Sequence, residues 1–243
     1  MKTILILIVA LLPAIALLYY IWKKDIQKEP TAWLVKAVAW GAGICIPVAF
    51  IEMGIQAALF GNGTPSGLLG TTVTAFFVAA LPEESCKLLV LWLLLRKDPY
   101  FDEHFDGIVY AVFVSLGFAA IENVFFLIGN ADNWLSIAIS RSLLAVPGHY
   151  AFAVLMGYYY SVYHFVDHSP RTAACVLLVP VIAHGIYDAI ALGGTVNEYI
   201  GGLSFVILIY FCIKMHKVAK SKVLALLQKD ETIANSPESS NTL

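Results

Sequence analysis

A helix needs about 20 mostly apolar residues to cross the hydrocarbon core of a bilayer. Seven stretches of this 243-residue chain read as such helices: residues 4–22, 33–60, 68–95, 108–128, 134–163, 173–192 and 199–213. The last is short and runs a turn or two into a basic tail. In hydrocarbon every backbone N–H and C=O must be satisfied within the spanning segment, so apolar runs of this length leave a helical bundle. Composition agrees: 60% of residues are apolar, 13% are charged and the mean hydropathy is +0.79. Those values exclude a disordered chain and an ordinary soluble enzyme. A net charge of −2 offers no electrostatic footprint for nucleic acid. The expected fold is an all-α polytopic membrane protein, a bundle of about seven transmembrane helices in one domain (residues 1–229). A tail rich in Ser, Asn, Thr and Glu, residues 230–243, is expected to be disordered.

Lys and Arg partition between alternate loops. Lys23, Lys24 and Lys28 follow the first span, Arg96 and Lys97 the third, and Arg171 the fifth. Lys214, Lys217, Lys220, Lys222 and Lys229 follow the seventh, whereas loops 61–67, 129–133 and 193–198 hold neither residue type. The positive-inside rule then puts the N-terminus outside and the C-terminus in the cytoplasm, with only Lys2 against the pattern. The first span has the length of a secretion-signal core. No A-x-A site follows it, and the lysines after it read as those of a retained anchor. Cys45, Cys86, Cys175 and Cys212 sit in apolar runs without C-x-x-C spacing, as small buried apolar side chains. Trp33, Trp134 and Tyr199 lie at span ends, where interfacial aromatics belong.

An ionisable side chain at bilayer depth costs at least about 2.5–3.5 kcal/mol and turns toward the bundle interior. Nine fall more than a turn inside the spans: Glu52, Glu83, Glu84, Lys87, Glu122, Arg141, His149, His184 and Asp188. Placed singly they would exceed the about 5–15 kcal/mol by which a fold is stable, so several must share one polar cavity. At a rise of about 1.5 Å per residue, Glu83, Glu84, His149 and His184 come near mid-depth. Glu122 and Asp188 lie about a turn further out. Pro82 and Pro147 each precede one of these groups and free backbone carbonyls that only a polar cavity or a compensating neighbour tolerates. Glu83 and Lys87 share a helix face at i,i+4. A buried ion pair would explain those two alone, but Glu84 points about 100° away and needs its own partner. His184 and Asp188 are also i,i+4, so the aspartate either orients the imidazole or shares a metal with it. Arg141 and Glu52, both toward the outer face, read as a structural pair. His104, His164, His168 and His216 lie in or near loops and read as solvated side chains.

In chain order these residues form E-E-x-x-K (Glu83 to Lys87), F-x-x-x-E followed by Asn123 (Phe118 to Glu122), Pro147-Gly148-His149, and H-x-x-x-D (His184 to Asp188). The stretch Asp106-Gly107-Ile108-Val109-Tyr110 leads into the second motif. The set, over about residues 81–189, resembles the PrsW family of intramembrane proteases, related to the CAAX-prenyl-protease and bacteriocin-processing superfamily. The resemblance implies a peptidase of a prokaryotic plasma membrane. Its substrate partner would be a single-span membrane regulatory protein, such as an anti-sigma factor, given its first cut on the extracytoplasmic side. It also implies Glu83 and Glu84 as catalytic carboxylates, Glu122, His184 and Asp188 in the site, and His149 as a further site histidine.

Peptide hydrolysis needs an activated water, electrophilic help for the carbonyl oxygen and a proton for the leaving amine. No H-E-x-x-H is present, so a standard zincin is excluded. Imidazoles and carboxylates on separate helices nevertheless suit zinc. In one arrangement Zn2+ is held by His149, His184 and either Glu122 or Asp188, with one position left for water. Glu83 or Glu84 then acts as base, and Lys87 keeps one carboxylate ionised. In the other arrangement no metal takes part, and a glutamate with a histidine activates water. A reading of a different class is a proton-coupled transporter, since buried carboxylates, imidazoles and broken helices also build ion relays. The lack of a detectable internal repeat and the small number of spans weigh against it.

Overall fold

The computed structural model describes residues 2–61, 63 and 66–236. Among them are nine α-helices: α1 (Lys2–Lys24), α2 (Thr31–Phe60), α3 (Gly67–Val73), α4 (Leu81–Leu95), α5 (Asp106–Gly129), α6 (Trp134–Ser140), α7 (Val146–Phe165), α8 (Pro170–Gly193) and α9 (Glu198–Ala234). Two π-helical stretches, Thr74–Ala80 and Arg141–Ala145, join α3 to α4 and α6 to α7, so the helices form seven rods. Six rods are long and apolar enough to cross a membrane. The seventh, residues 67–95, carries Glu83, Glu84 and Lys87 across its middle. The chain is an all-α polytopic membrane protein.

Both π-helical stretches end two residues before a proline, Pro82 and Pro147. A proline ring inside a helix clashes with the carbonyl four residues back, here Val78 and Leu143, and removes one hydrogen bond. Widening the preceding turn absorbs that clash without breaking the rod. Each widened turn is followed at once by site residues, Glu83 and Glu84 in one rod and His149 in the other.

Helix α5 is the axis of the bundle. Every residue from Asp106 to Ala119 is buried, on all faces, as expected of a helix enclosed by others. It packs against α1, α2, α4 and α7. Glycines bring the backbones together: a Cβ at Gly157 of α7 would strike the Gly107 carbonyl, and one at Gly41 of α2 would strike the Val114 carbonyl. Lipid gives helices no hydrophobic reason to associate, so close approach through small residues supplies the packing. By contrast α9 is peripheral, with only 11% of its spanning window buried, and it packs on α7 and α8.

The C-terminal segment differs from the expected disorder at 230–243. Helix α9 continues to Ala234. Asp230 is buried because its carboxylate accepts the backbone N–H groups of His104 and Phe105 at 3.0 and 2.9 Å, and meets His104 Nδ1 at 2.7 Å. His104 is therefore a buried, partnered side chain and not a solvated one. Residues 237–243 lie outside the described residues. The cysteines are free, Cys45 and Cys212 buried and the other two partly so.

The glycine contacts make a paired prediction. Gly157→Ala should destabilise the detergent-solubilised protein by about 1–3 kcal/mol through overpacking. Gly43→Ala, where nothing lies within 4 Å of the added methyl, should leave thermal unfolding unchanged or slightly raised. Equal midpoints for the two variants would contradict the close α5–α7 packing.

Candidate active site

The site is organised by one ammonium group. Lys87 lies a helical turn beyond Glu83 and Glu84 on α4, and its side chain is 1% exposed. Its Nζ donates to Glu83 Oε2 at 2.8 Å and Glu84 Oε1 at 2.9 Å, and lies 3.2 Å from His149 Nδ1. Glu84 has the separate partner expected of it, its Oε1 accepting from His184 Nδ1 at 2.9 Å, and it also shares Lys87 with Glu83. The Phe118 ring caps the ammonium, its centroid 4.3 Å from Nζ.

From this centre the network reaches three more helices. An ammonium only donates, so His149 Nδ1 accepts and the ring proton sits on Nε2. That Nε2 donates to Glu122 Oε2 of α5 at 2.9 Å. The same oxygen accepts from Arg141 Nη2 at 2.7 Å, and Arg141 Nε donates to Asn123 Oδ1 at 2.8 Å. Asn123 in turn donates to the Ala10 carbonyl at 2.7 Å, which anchors the network to α1. On α8, His184 Nε2 lies 3.3 Å from Asp188 Oδ2. The two imidazoles are 5.3 Å apart and nearly perpendicular, and Phe152 stacks on His184 at 4.8 Å.

Glu83, Glu84, Lys87, Glu122, His149, His184 and Asp188 thus occupy one connected region. Within it, one donor atom each from Glu83, Glu84, His149 and His184 lies within 4.8 Å of the others. Glu122 and Asp188, expected as ligands, stand outside that quartet, each against the Nε2 of one histidine. The expected Arg141–Glu52 pair is not formed. Arg141 pairs with Glu122 and stacks on Phe126, while Glu52 lines the adjoining cavity. That cavity has a volume of about 730 Å³, within the usual size of a ligand site. Glu83, Glu122, His149, His184 and Asp188 border it, and Phe205 of α9 forms part of its outer wall. The aromatic shell and the Asn123 anchor carried no sequence signal beyond the adjacency of Glu122 and Asn123.

The donor chemistry fits a metal. Two imidazoles present Nδ1 inward and have a carboxylate at Nε2, the usual way of fixing a ligating histidine; a metal there would replace the Lys87 contact of one Nδ1 and the proton of the other. Glu84 Oε2 is buried and has no partner. In the network Glu83, Glu84, Glu122 and Asp188 bring four negative charges, and Lys87 and Arg141 two positive. With neutral imidazoles the balance is two negative charges. One divalent cation cancels it.

Acid–base groups gathered beside a cavity inside a membrane bundle are what a membrane-embedded enzyme site requires. Residues 29–215 match the PrsW family of intramembrane metalloproteases, and the chain belongs to that family. Its relatives include "Protease PrsW" of Oceanobacillus iheyensis, 34% identical over 189 residues (77% of this chain, 83% of that protein). "Protease PrsW" of Clostridioides difficile is 31% identical over 221 residues (89% of each), and that of Bacillus subtilis 32% over 219 residues (89% and 95%). No solved structure matches the chain. The protein is a multi-pass bacterial membrane peptidase.

Removing Lys87 tests the network's electrostatics. Lys87→Met should cost about 3–5 kcal/mol, because it leaves two buried carboxylates without a countercharge. Adding Glu83→Gln to that variant should recover part of the loss, read from unfolding midpoints in a double-mutant cycle. Strict additivity would contradict the pairing.

Proposed function

We propose that the chain is an intramembrane endopeptidase that hydrolyses single-span membrane regulatory proteins of the anti-sigma-factor type, with Glu83 as the general base. The supporting observation is the division of labour between the paired glutamates. Glu83 borders the cavity. Glu84 is fully enclosed, held by Lys87 and His184.

A peptide carbonyl entering the cavity lies beside Glu83, which takes the proton of a water and delivers it to the departing amine. Lys87 holds Glu83 in position through a 2.8 Å hydrogen bond. His149, His184 and Glu84, whose Oε2 lacks a partner, would hold a divalent metal, zinc by donor type. Such an ion polarises the carbonyl and lowers the pKa of water when bound. Glu122 and Asp188 orient the two imidazoles, and Arg141 fixes Glu122. Phe118 and Phe152 keep bulk water from the network and strengthen its electrostatics.

A metal-free version rests on one specific observation. The Lys87 ammonium lies among Glu83, Glu84 and His149, where it supplies positive charge without an ion. Glu83 keeps its role there, and Lys87 and the imidazoles supply the electrophile and the protons. The lateral position of α9, exposed along most of its span, supports access for a single transmembrane substrate from the lipid.

Purified protein reconstituted with a single-span substrate should yield two fragments. Glu83→Gln keeps the shape but removes the base, and should cut the rate by about 10²–10⁴-fold with the unfolding midpoint preserved. Glu84→Gln should abolish cleavage as well, by releasing His184. Near-normal turnover by the Glu83 variant would remove it as the base, and ion flux without fragments would point to a transporter instead.

A further inference from the structure

A second group of acids lies far from the catalytic network. Asp106 opens α5, about 24 Å along that helix from Glu122. It meets Asp25 of the α1–α2 link and Glu103 of the α4–α5 link, with one donor oxygen of each within 4.8 Å of the others.

Each carboxylate has one oxygen fixed by the protein. Asp106 Oδ2 accepts the backbone N–H groups of Glu103 at 2.7 Å and Asp102 at 3.2 Å. Asp25 Oδ2 accepts the Glu29 N–H at 3.3 Å, and Glu103 Oε1 accepts from Gln27. The opposite oxygens of the two aspartates, Asp25 Oδ1 and Asp106 Oδ1, are buried and no protein N–H or hydroxyl reaches them, while the buried Glu29 carboxyl meets the Asp106 side chain. Asp25 is 2% exposed and Asp106 is wholly enclosed. A buried carboxylate oxygen that no protein donor reaches is costly, and here two of them occur in one cluster.

The nearby cationic side chains are engaged elsewhere. Lys28 donates to the carbonyls of Trp22 and Asp25 and lies over the Trp22 ring. His104 is held by Asp230. Among the described residues no Lys, Arg or His forms an ion pair with Asp25, Glu103 or Asp106. The cluster therefore presents only oxygen donors. Ligand oxygens about 2.0–2.6 Å from a hard cation lie within about 5 Å of one another. Nitrogen or sulfur donors, which would favour zinc, are missing from it.

We propose that Asp25, Glu103 and Asp106 bind a hard divalent cation, Mg2+ or Ca2+, that clamps the α1–α2 link to the α4–α5 link. The ion satisfies the two orphaned oxygens and replaces mutual repulsion with shared coordination. It secures α1 and α2 against the start of α5, the axis of the bundle, and is independent of the catalytic site.

The test uses the full-length protein in detergent, treated with EDTA and then dialysed. MgCl2 or CaCl2 is titrated while the thermal unfolding midpoint is followed. A saturable rise of about 5 °C or more is expected near one hundred times Kd. The cation that saturates at the lower concentration is the ligand. The rise should persist in Glu84→Gln, which separates this site from the catalytic one, and disappear in Asp25→Asn. Should Asp25→Asn fail to fold, Glu103→Gln in the more exposed link carries the same expectation. No saturable shift with either cation, or a full shift in the Asp25 and Glu103 variants, would overturn the site.

Discussion

Charge that cannot reach water must be cancelled where it stands, and at bilayer depth this governs the whole molecule. Glu83 and Glu84 are adjacent in sequence, so one helix places two carboxylates in the apolar interior with no freedom to separate them. Lys87, a turn away, is the nearest countercharge the same helix can provide, and it reaches both. The remaining demand for hydrogen-bond partners draws His184 from α8 and His149 from α7, and through His149 it reaches Glu122 and Arg141. Helix packing and active-site assembly are therefore one event: the helices meet where their charges need one another.

Two prolines make that meeting geometrically possible. Each follows a π-helical stretch and precedes a site residue, and the second stretch itself carries Arg141, the partner of Glu122. Widened turns alter which face a following side chain presents, and they recur at functional positions for this reason. The glycine contacts of α5 do the complementary work elsewhere, keeping its neighbours close enough for side chains on α4, α7 and α8 to converge.

Much of this was legible in the residues. Apolar length disclosed the rods, and the i,i+4 spacings disclosed the Glu83–Lys87 and His184–Asp188 contacts, because one helix carries both partners. Contacts between helices were not legible in the same way. Similar depth alone pairs Arg141 with Glu52, but rotation about the helix axis, which depth does not specify, turns it to Glu122. Glu84 has the separate partner its place on the helix demands, His184 of α8, and the length of the lysine side chain lets the one ammonium serve it as well. The C-terminal segment reads as polar and disordered, but Asp230 finds its partners 126 and 125 residues away. No local pattern records such a contact.

The balance of two negative charges left by the network is the point on which metal and metal-free chemistry divide. A bound divalent ion cancels it and requires Nδ1 lone pairs on both histidines; without one, His149 Nδ1 accepts from Lys87 and His184 Nδ1 donates to Glu84. The most direct measurement is the metal content of protein purified without chelator, by elemental analysis, for the natural sequence and for His184→Ala. One zinc per chain in the former, with loss of most of it in a still-folded His184→Ala, is the predicted result. Metal-free protein that cleaves a membrane substrate at full rate would contradict it.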